Sequence, residues 1–466
     1  MSILYRGHIF HLTGTPLVEK AAGALVEIPD GAIQVDDNGI IEWSGAYADR
    51  PTPTGAPIKI IDYHDCFILP GFIDTHIHFA QLNSIDAYGG GQLLEWLTRC
   101  IFPAEALMTD PEFARSGARA FCDRLVSVGT TTSLVFGSQF PGAQNALFNE
   151  YQRRGLRGII GRTIQTRGPE AARALITSEK DAIRLTREEI QKWHPGTKDE
   201  LKNSLIAVAI IPRFSLSVTT RTLEALGSLY HDYRERGVYF STHLNENNRP
   251  GNGEIEHVLN EYRVDAYLDT YDGRFRPGGK KGGESLLGDR SIFAHGVHCT
   301  GRELTRLAET GSSIAHCPIS QQFLGSGTMP WRRTIGADVT VAAGTDFAAG
   351  DSWFMLDVIN AAYKVHISEP GEDGISLHPA QLLHLVTVGG ARALDLEDRI
   401  GNFDPGREAD MIIINPSKWA PLAYALEWGL REDDPIKRKN ARLFKVLMAA
   451  KEAVVDGIYV RGRKLV

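Results

Sequence analysis

The chain has 466 residues, more than one hydrophobic core usually holds, so its length predicts one large domain with a smaller one, or two domains. Its hydrophobic fraction of 43% and charged fraction of 23% are typical of a soluble globular protein. The formal net charge of −7 comes without a long run of like charges, which argues against a nucleic-acid partner or an anionic membrane surface.

The cysteines and the first residues of the chain indicate the cellular compartment in which the protein is expected. Five cysteines are an odd number without paired spacing, so we expect no disulfide framework and a reducing compartment. Residues 1–6 lack a basic segment followed by an apolar one. No apolar run approaches the roughly 20 residues of a membrane span. These features predict a cytoplasmic protein with no membrane partner.

The two ends of the chain predict a small β domain. Alternating apolar residues and turn residues predict strands at 4–12, 23–27, 32–35, 40–44 and 58–62, with Asp37-Asn38-Gly39 as a hairpin signal. Residues 410–415 and 453–466 alternate in the same way. We therefore predict a β-sandwich domain composed of residues 1–66 and 403–466, with residues 67–402 inserted between its halves.

The inserted region predicts a (β/α)₈ TIM barrel. Continuous apolar runs such as residues 206–211 are typical of strands covered on both faces, as in parallel sheets. Amphipathic stretches such as 110–128 and 221–236 lie between the runs. A doubly wound open sheet is the alternative, weakened because no glycine-rich phosphate loop opens a βα turn. Eight runs fit the barrel: 68–78, 131–137, 156–164, 205–214, 237–244, 291–296, 312–318 and 339–346.

Potential metal ligands fall at the ends of the predicted barrel strands. His76 and His78 lie two residues apart on the first strand, so both point the same way. His243, His295 and Asp346 end the fifth, sixth and eighth strands, and in this fold such ends form one rim. Each histidine alone could be a packed core residue, and Asp346 could cap a helix. Their clustering favours a transition-metal site, for which zinc and iron both suit.

Several motifs resemble the amidohydrolase superfamily, whose members are metal-dependent barrels with a small β-sandwich formed by both termini. The resemblance is carried by residues 70–78, Pro-Gly-Phe-Ile-Asp-Thr-His-Ile-His, together with His243, His295 and Gly344-Thr345-Asp346. It covers nearly the whole chain. Further motifs resemble, more narrowly, the guanine deaminases within it: residues 92–97 followed by 102–105, and residues 129–132, 212–214, 242–247 and 315–318.

This resemblance implies a metal centre. His76, His78, His243 and Asp346 would bind one divalent metal ion, Zn²⁺ by default with Fe²⁺ as the alternative. The fourth strand lacks the lysine that binuclear members carry, so the site is predicted to be mononuclear. Such an ion lowers the pKa of a bound water to about 7 and so supplies a nucleophile at neutral pH. Asp346 would accept the proton of that water, and His295 would orient the hydroxide or hold developing charge.

The resemblance also implies a small-molecule purine substrate, guanine, hydrolysed to xanthine and ammonia. Glu246, three residues after His243, would transfer protons to the ring nitrogen and the leaving ammonia, and both residues would contact the substrate. Arg213 would donate to the purine carbonyl, Phe214 would pack near the ring and Gln81 would read a ring edge. From residue type alone, Glu246 could be a solvated loop residue, Arg213 a surface ion pair and Phe214 a core residue.

Three functional hypotheses remain open at the level of sequence. The first is a guanine deaminase, expected to form homodimers as related enzymes do. The second is another metal-dependent hydrolase, acting on another purine, a pterin, a triazine or a cyclic amide. The third is a non-catalytic scaffold, disfavoured because the chain retains every ligand residue. Residues 247–283 are rich in Gly, Pro and charge, and the glycine run 278–283 predicts a mobile segment that either acts as a lid or becomes ordered only when substrate binds.

Overall fold

The computed structural model describes residues 2–17, 21–52, 58–85, 87–88, 92–251, 253–275, 281–429 and 432–465. The chain forms two compact units. The first comprises Met1–Asp74, Arg124–Thr132 and Trp353–Val466, and the second comprises Thr75–Asp123 and Ser133–Ser352.

Within the first unit, strands from both ends of the chain share one seven-stranded sheet, as the sequence predicts. Lys59–Pro70 joins the two ends, because it pairs in parallel with Ile3–Leu12 and antiparallel with Met411–Ile414. The core of the sheet includes Ile33 and Phe403, both fully buried. In order across the sheet the strands are Arg463–Lys464, Val455–Val460, Met411–Ile414, Lys59–Pro70, Ile3–Leu12, Leu25–Val35 and Ile41–Ala46.

Two strand predictions at this end of the chain are wrong in their limits. The predicted strands 23–27 and 32–35 form one strand, Leu25–Val35, although Pro29 is a turn-favouring residue. A register shift between Gly7 and Ile9 of the neighbouring strand accompanies the passage through Pro29, as is usual where a bulge accommodates proline. Residues 68–70, predicted to begin the first barrel strand, belong instead to Lys59–Pro70 of this sheet.

The predicted (β/α)₈ barrel is confirmed. Neighbouring strands pair in the order of the chain, and a short strand, Thr163–Ile164, adds to the fourth. The barrel is nearly closed, and its last and first strands are linked where the Thr75 hydroxyl donates to the Ala343 carbonyl at 2.9 Å. Barrel strands 1 to 8 are Phe72–His78, Thr130–Phe136, Arg157–Gly161, Ile206–Pro212, Tyr239–Leu244, Ser291–His295, Ser313–His316 and Thr340–Ala343.

Helices lie between most of the barrel strands, as expected for this fold. Helix Thr220–Tyr233, predicted at 221–236, begins with Thr219, whose hydroxyl accepts the backbone N–H of Thr222. In the described part of the chain, every helix is too short or too polar to cross a bilayer. The α-helices of the barrel region are Leu93–Trp96, Phe102–Ala106, Pro111–Ser127, Pro141–Arg154, Glu179–Trp193, Lys198–Asn203, Thr220–Tyr233, Glu254–Tyr262, Gly301–Thr310, Pro318–Phe323, Trp331–Gly336, Met355–Ile367, Pro379–Val386 and Val388–Ala393; the others are Ala21–Ala24, Ala420–Gly429 and Pro435–Ala449.

The segment predicted to form a mobile lid contains regular structure. Glu254–Tyr262 is an α-helix and Tyr267–Thr270 a 3₁₀ helix. Both carry buried side chains, and in Glu254–Tyr262 the apolar residues Ile255, Val258 and Tyr262 recur at helical spacing. Residues 278–280 of the glycine run lie outside the described residues, so the lid stays a prediction.

Candidate metal and substrate site

The candidate ligands meet at the carboxyl ends of the barrel strands. His76 and His78 end barrel strand 1, and both are buried. Their Nε2 atoms lie 3.1 and 3.2 Å from the same oxygen, Oδ1 of Asp346. The backbone N–H of Asp346 in turn donates to the His76 carbonyl at 2.9 Å, which ties the loop after barrel strand 8 to barrel strand 1. The carboxylate is therefore held next to the Nε2 atoms of both imidazoles.

His243 and His295 complete the cluster from barrel strands 5 and 6. The Nδ1 of His243 lies 2.7 Å from the Arg213 carbonyl oxygen. Because a carbonyl only accepts, Nδ1 carries the proton and Nε2 keeps its lone pair for a metal. The ring of His243 is stacked on that of His295, with centroids 5.3 Å apart.

A compact group of donor atoms among the described residues differs slightly from the ligand set implied by resemblance. One donor atom from each of His76, His243, His295 and Asp346 lies within 4.8 Å of the others. His78 is next to this group through its contact with Asp346. His295 is farther from that carboxylate, with Nε2 at 3.8 Å from Oδ2. Four imidazoles thus surround one carboxylate, and the choice of three among them as metal ligands stays a proposal.

The electrostatics of the cluster suit a cation. Burial lowers the pKa of His78 to about 4 and that of His295 to about 3. Loss of water and then the neighbouring imidazoles hold the pKa of His243 well below its ordinary value. Burial acts to raise the pKa of Asp346, but its contacts with the surrounding imidazoles hold it well below the usual range. Neutral imidazoles and an ionised carboxylate are the forms that bind divalent metals.

Glu246 lies beside the cluster with its carboxyl group buried. Its Oε2 is 3.3 Å from Nε2 of His295. Burial, followed by the charges of Asp346 and Glu254, holds the pKa of Glu246 well above its ordinary value. A carboxyl group with a raised pKa can hold a proton at neutral pH and transfer it to a neighbouring acceptor. The structure therefore excludes the solvated loop position that residue type alone allowed.

Glu254 is a second buried carboxyl group that the sequence analysis missed. It accepts a hydrogen bond from the Tyr267 hydroxyl at 2.6 Å and faces the backbone N–H groups of Glu246 and Asn247 at 3.3 and 3.4 Å. Burial raises its pKa to about 7. Its side chain thus fixes the turn that carries Glu246. Glu254 lies in the segment predicted to be mobile, and only the helical spacing of Ile255, Val258 and Tyr262 could have indicated that it is buried.

One pocket brings together all five side chains predicted to contact substrate. Trp96 is on its wall. His76 and His295 are buried and do not line it. Glu105 supports the pocket from behind, and no signal beyond the motif at 102–105 indicated it. The pocket is lined by His78, Gln81, Leu93, Trp96, Leu97, Arg213, Phe214, His243, Glu246, Glu254, Leu324, Asp346 and Ala349.

The chain belongs to the amidohydrolase family, whose profile matches residues 67–465. It is similar to a probable guanine deaminase of Deinococcus radiodurans, with 38% identity over 436 residues that cover 92% of each chain. The solved E. coli guanine deaminase matches with a TM-score of 0.86 and 32% identity, covering 100% of this chain and 99% of that one. A guanine deaminase from C. acetobutylicum with bound guanine in its active site matches with a TM-score of 0.82 and 25% identity, covering 100% of both chains.

Proposed function

We propose that the protein is a guanine deaminase, which hydrolyses guanine to xanthine and ammonia. The observation that carries the proposal is a buried rim of four imidazoles around Asp346 that opens into a pocket lined by Gln81 and Arg213. The similarity to guanine deaminases over almost the full length of the chain supports the substrate.

The cluster fits one divalent metal ion, with His76, His78, His243 and Asp346 as its ligands. The four side chains offer three neutral nitrogens and one carboxylate oxygen, a donor set that suits zinc and also Fe²⁺. Barrel strand 4 carries no lysine, which favours a single ion. When bound, the ion supplies a water molecule of lowered pKa as nucleophile. His295 is assigned another role because its Nε2 lies farther from Asp346 than those of His76 and His78 and is 3.3 Å from Glu246.

The proton transfers fall to the acidic side chains of the pocket. Asp346 takes a proton from the attacking water. Glu246 donates a proton to the ring nitrogen beside C2 while the water oxygen adds to that carbon. Glu246 then takes the proton of the new hydroxyl group and passes it to the amine, which leaves as ammonia as the C2=O bond forms. The proton held by Asp346 restores the protonated form of Glu246. His295 stabilises the developing charge. Atoms balance, because guanine and one water give xanthine and one ammonia.

Substrate recognition is assigned to side chains of the same pocket. Arg213 donates to the purine carbonyl, Gln81 reads the ring edge and Phe214 packs near the ring, while His243 and Glu246 approach the carbon that is attacked. Guanidinium donors disfavour an exocyclic amine at the carbonyl position, so adenine should be a poor substrate.

The domain limits and the cellular setting belong to the same proposal. The β domain comprises residues 1–66 and 403–466, and the catalytic barrel comprises residues 67–402. The protein works in the cytoplasm as a homodimer. Size-exclusion chromatography with light scattering checks the dimer, and a mass of one chain would refute it.

The test of the proposed function is turnover by the purified, metal-loaded protein. Absorbance spectra follow guanine to xanthine, and ammonia release is measured for guanine, adenine, a pterin, a triazine and a hydantoin. We expect guanine to be deaminated far faster than the others. If one of the other compounds were deaminated and guanine were not, the proposed substrate would be wrong but the proposed metal chemistry would stand. No turnover of any compound would refute the enzyme itself.

A further inference from the structure

Glu105, in helix Phe102–Ala106, is a buried carboxylate that does not itself line the pocket. Its Oε1 accepts from Nε2 of Gln81 at 3.0 Å and from Nη1 of Arg213 at 2.8 Å. Its Oε2 accepts from Nε2 of Gln139 at 3.1 Å and from the same Nη1 at 2.7 Å. A carboxylate can accept about four hydrogen bonds, so these contacts satisfy it without a ligand.

The charge of Glu105 dictates how Gln81 must point. Burial acts to raise its pKa, but Arg213 and then Gln139 hold that pKa below its ordinary value, so the group is ionised and only accepts. Gln81 must therefore turn its amide N–H₂ towards Glu105. Its amide oxygen is then the atom it can offer to the pocket that it lines.

Arg213 is fixed by the same carboxylate. Among the described residues, only its Nη1 has a hydrogen-bond partner, so Nε and Nη2 keep their donors for a ligand. Its guanidinium also lies 5.3 Å from the centre of the Phe102 ring, in the helix that carries Glu105. The helix thus holds the guanidinium by one ion pair and one ring contact.

We propose that Glu105 is a positioning residue that sets an acceptor on Gln81 beside donors on Arg213, so that the pair reads a ring N–H next to a ring C=O. This inference rests on the proposed function, because it explains how the two side chains assigned to substrate recognition keep their polarity. The ligand class is a 6-oxopurine, whose N1–H and C6=O offer one donor and one acceptor on the same edge. A 6-aminopurine offers the reverse pattern and leaves both protein groups unpaired.

The test measures how tightly two ligands bind to the metal-loaded protein. Both lack the 2-amino group that the proposed reaction removes, so neither can be deaminated. Hypoxanthine has the N1–H and C6=O edge, whereas purine has neither group. Glu105→Gln replaces one acceptor by a donor, which lets Gln81 reverse its amide. We expect the dissociation constant of hypoxanthine to rise about tenfold or more and that of purine to stay within about twofold. Glu105→Asp keeps the negative charge, but its side chain is shorter by one methylene group, so the carboxylate lies farther from Gln81 and Arg213. We expect the same selective loss of hypoxanthine affinity.

A matched control is Glu189→Gln, because Glu189 is another buried carboxylate paired with an arginine, Arg162 at 2.6 Å, and does not line the pocket. It should bind both ligands as the wild type does. If Glu105→Gln fails to fold, Glu105→Asp decides the question. Equal losses for both ligands, or no loss for hypoxanthine, would overturn the inference while wild-type turnover of guanine stands. Wild-type protein that leaves guanine unchanged would overturn the proposed function instead.

Discussion

His194 gives a quantitative prediction for stability against pH. This buried side chain follows helix Glu179–Trp193, and its Nδ1 accepts the backbone N–H of Val208 in barrel strand 4 at 3.0 Å. Its Nε2 lies 3.1 Å from the Arg236 carbonyl, to which it donates. A proton on Nδ1 would remove the acceptor, and burial lowers the pKa of His194 to about 4. The unfolded chain therefore binds a proton here that the folded protein excludes.

The sign and size of the effect follow from that difference. As pH falls below about 6.5, protons bind the unfolded chain first, so the free energy of unfolding decreases until pH reaches about 4. The full difference corresponds to ~3 kcal/mol, of which ~2 kcal/mol is lost between pH 7.5 and pH 5. Above about pH 7 both the folded and the unfolded chain have a neutral His194, so its full contribution to the free energy of unfolding is present.

The assay compares urea unfolding of wild type and His194→Asn at pH 7.5 and pH 5. The asparagine amide oxygen can still accept the Val208 N–H but does not titrate, so the variant should lose ~2 kcal/mol less than wild type over this range. His231→Asn, at an exposed histidine, should follow wild type. Equal pH dependence in wild type and His194→Asn would refute the reasoning, whatever the absolute stability of the variant.

Three further substitutions test the site and the fold. Glu246→Gln should keep metal content and lose turnover by roughly 10²-fold or more, and a full rate would refute the proton-transfer role. His243→Ala should lose both metal, by elemental analysis, and activity. Gly129→Ala should lower thermal stability, because Gly129 has a φ of +87° and its Cβ would lie 2.1 Å from the Ile412 side chain. Gly142→Ala, with open space around it, is the control, and an equal loss there would count against the packing argument.

The sequence predicted the barrel and the cluster of ligands at the carboxyl ends of its strands, because both follow from patterns within short stretches of the chain. Buried parallel strands read as apolar runs, and the rim requires only that a ligand stand at the end of its strand. This rule led to the prediction of His243 and Asp346 as metal ligands. The limits of the strands were less predictable: residues 68–70 pair with Met411–Ile414, more than 300 residues away. No local pattern carries that information.

The supporting carboxylates lay beyond sequence reasoning for the same reason. Glu105 and Glu254 sit in short helices, where an acidic residue normally indicates a solvated face. Their burial depends on partners that the fold brings from elsewhere, such as Arg213 for Glu105. Likewise, strand alternation placed His76 and His78 on one face but did not indicate that His295 would come as close to His76 and His243 as it does.

The location and number of bound metal ions test the central claim most directly. Crystals of the purified protein loaded with zinc would be measured at the zinc absorption edge, with elemental analysis of the same sample. We predict one anomalous peak and one ion per chain, at about 2.0–2.2 Å from His76, His78, His243 and Asp346. A peak elsewhere, or none at the rim, would contradict the account.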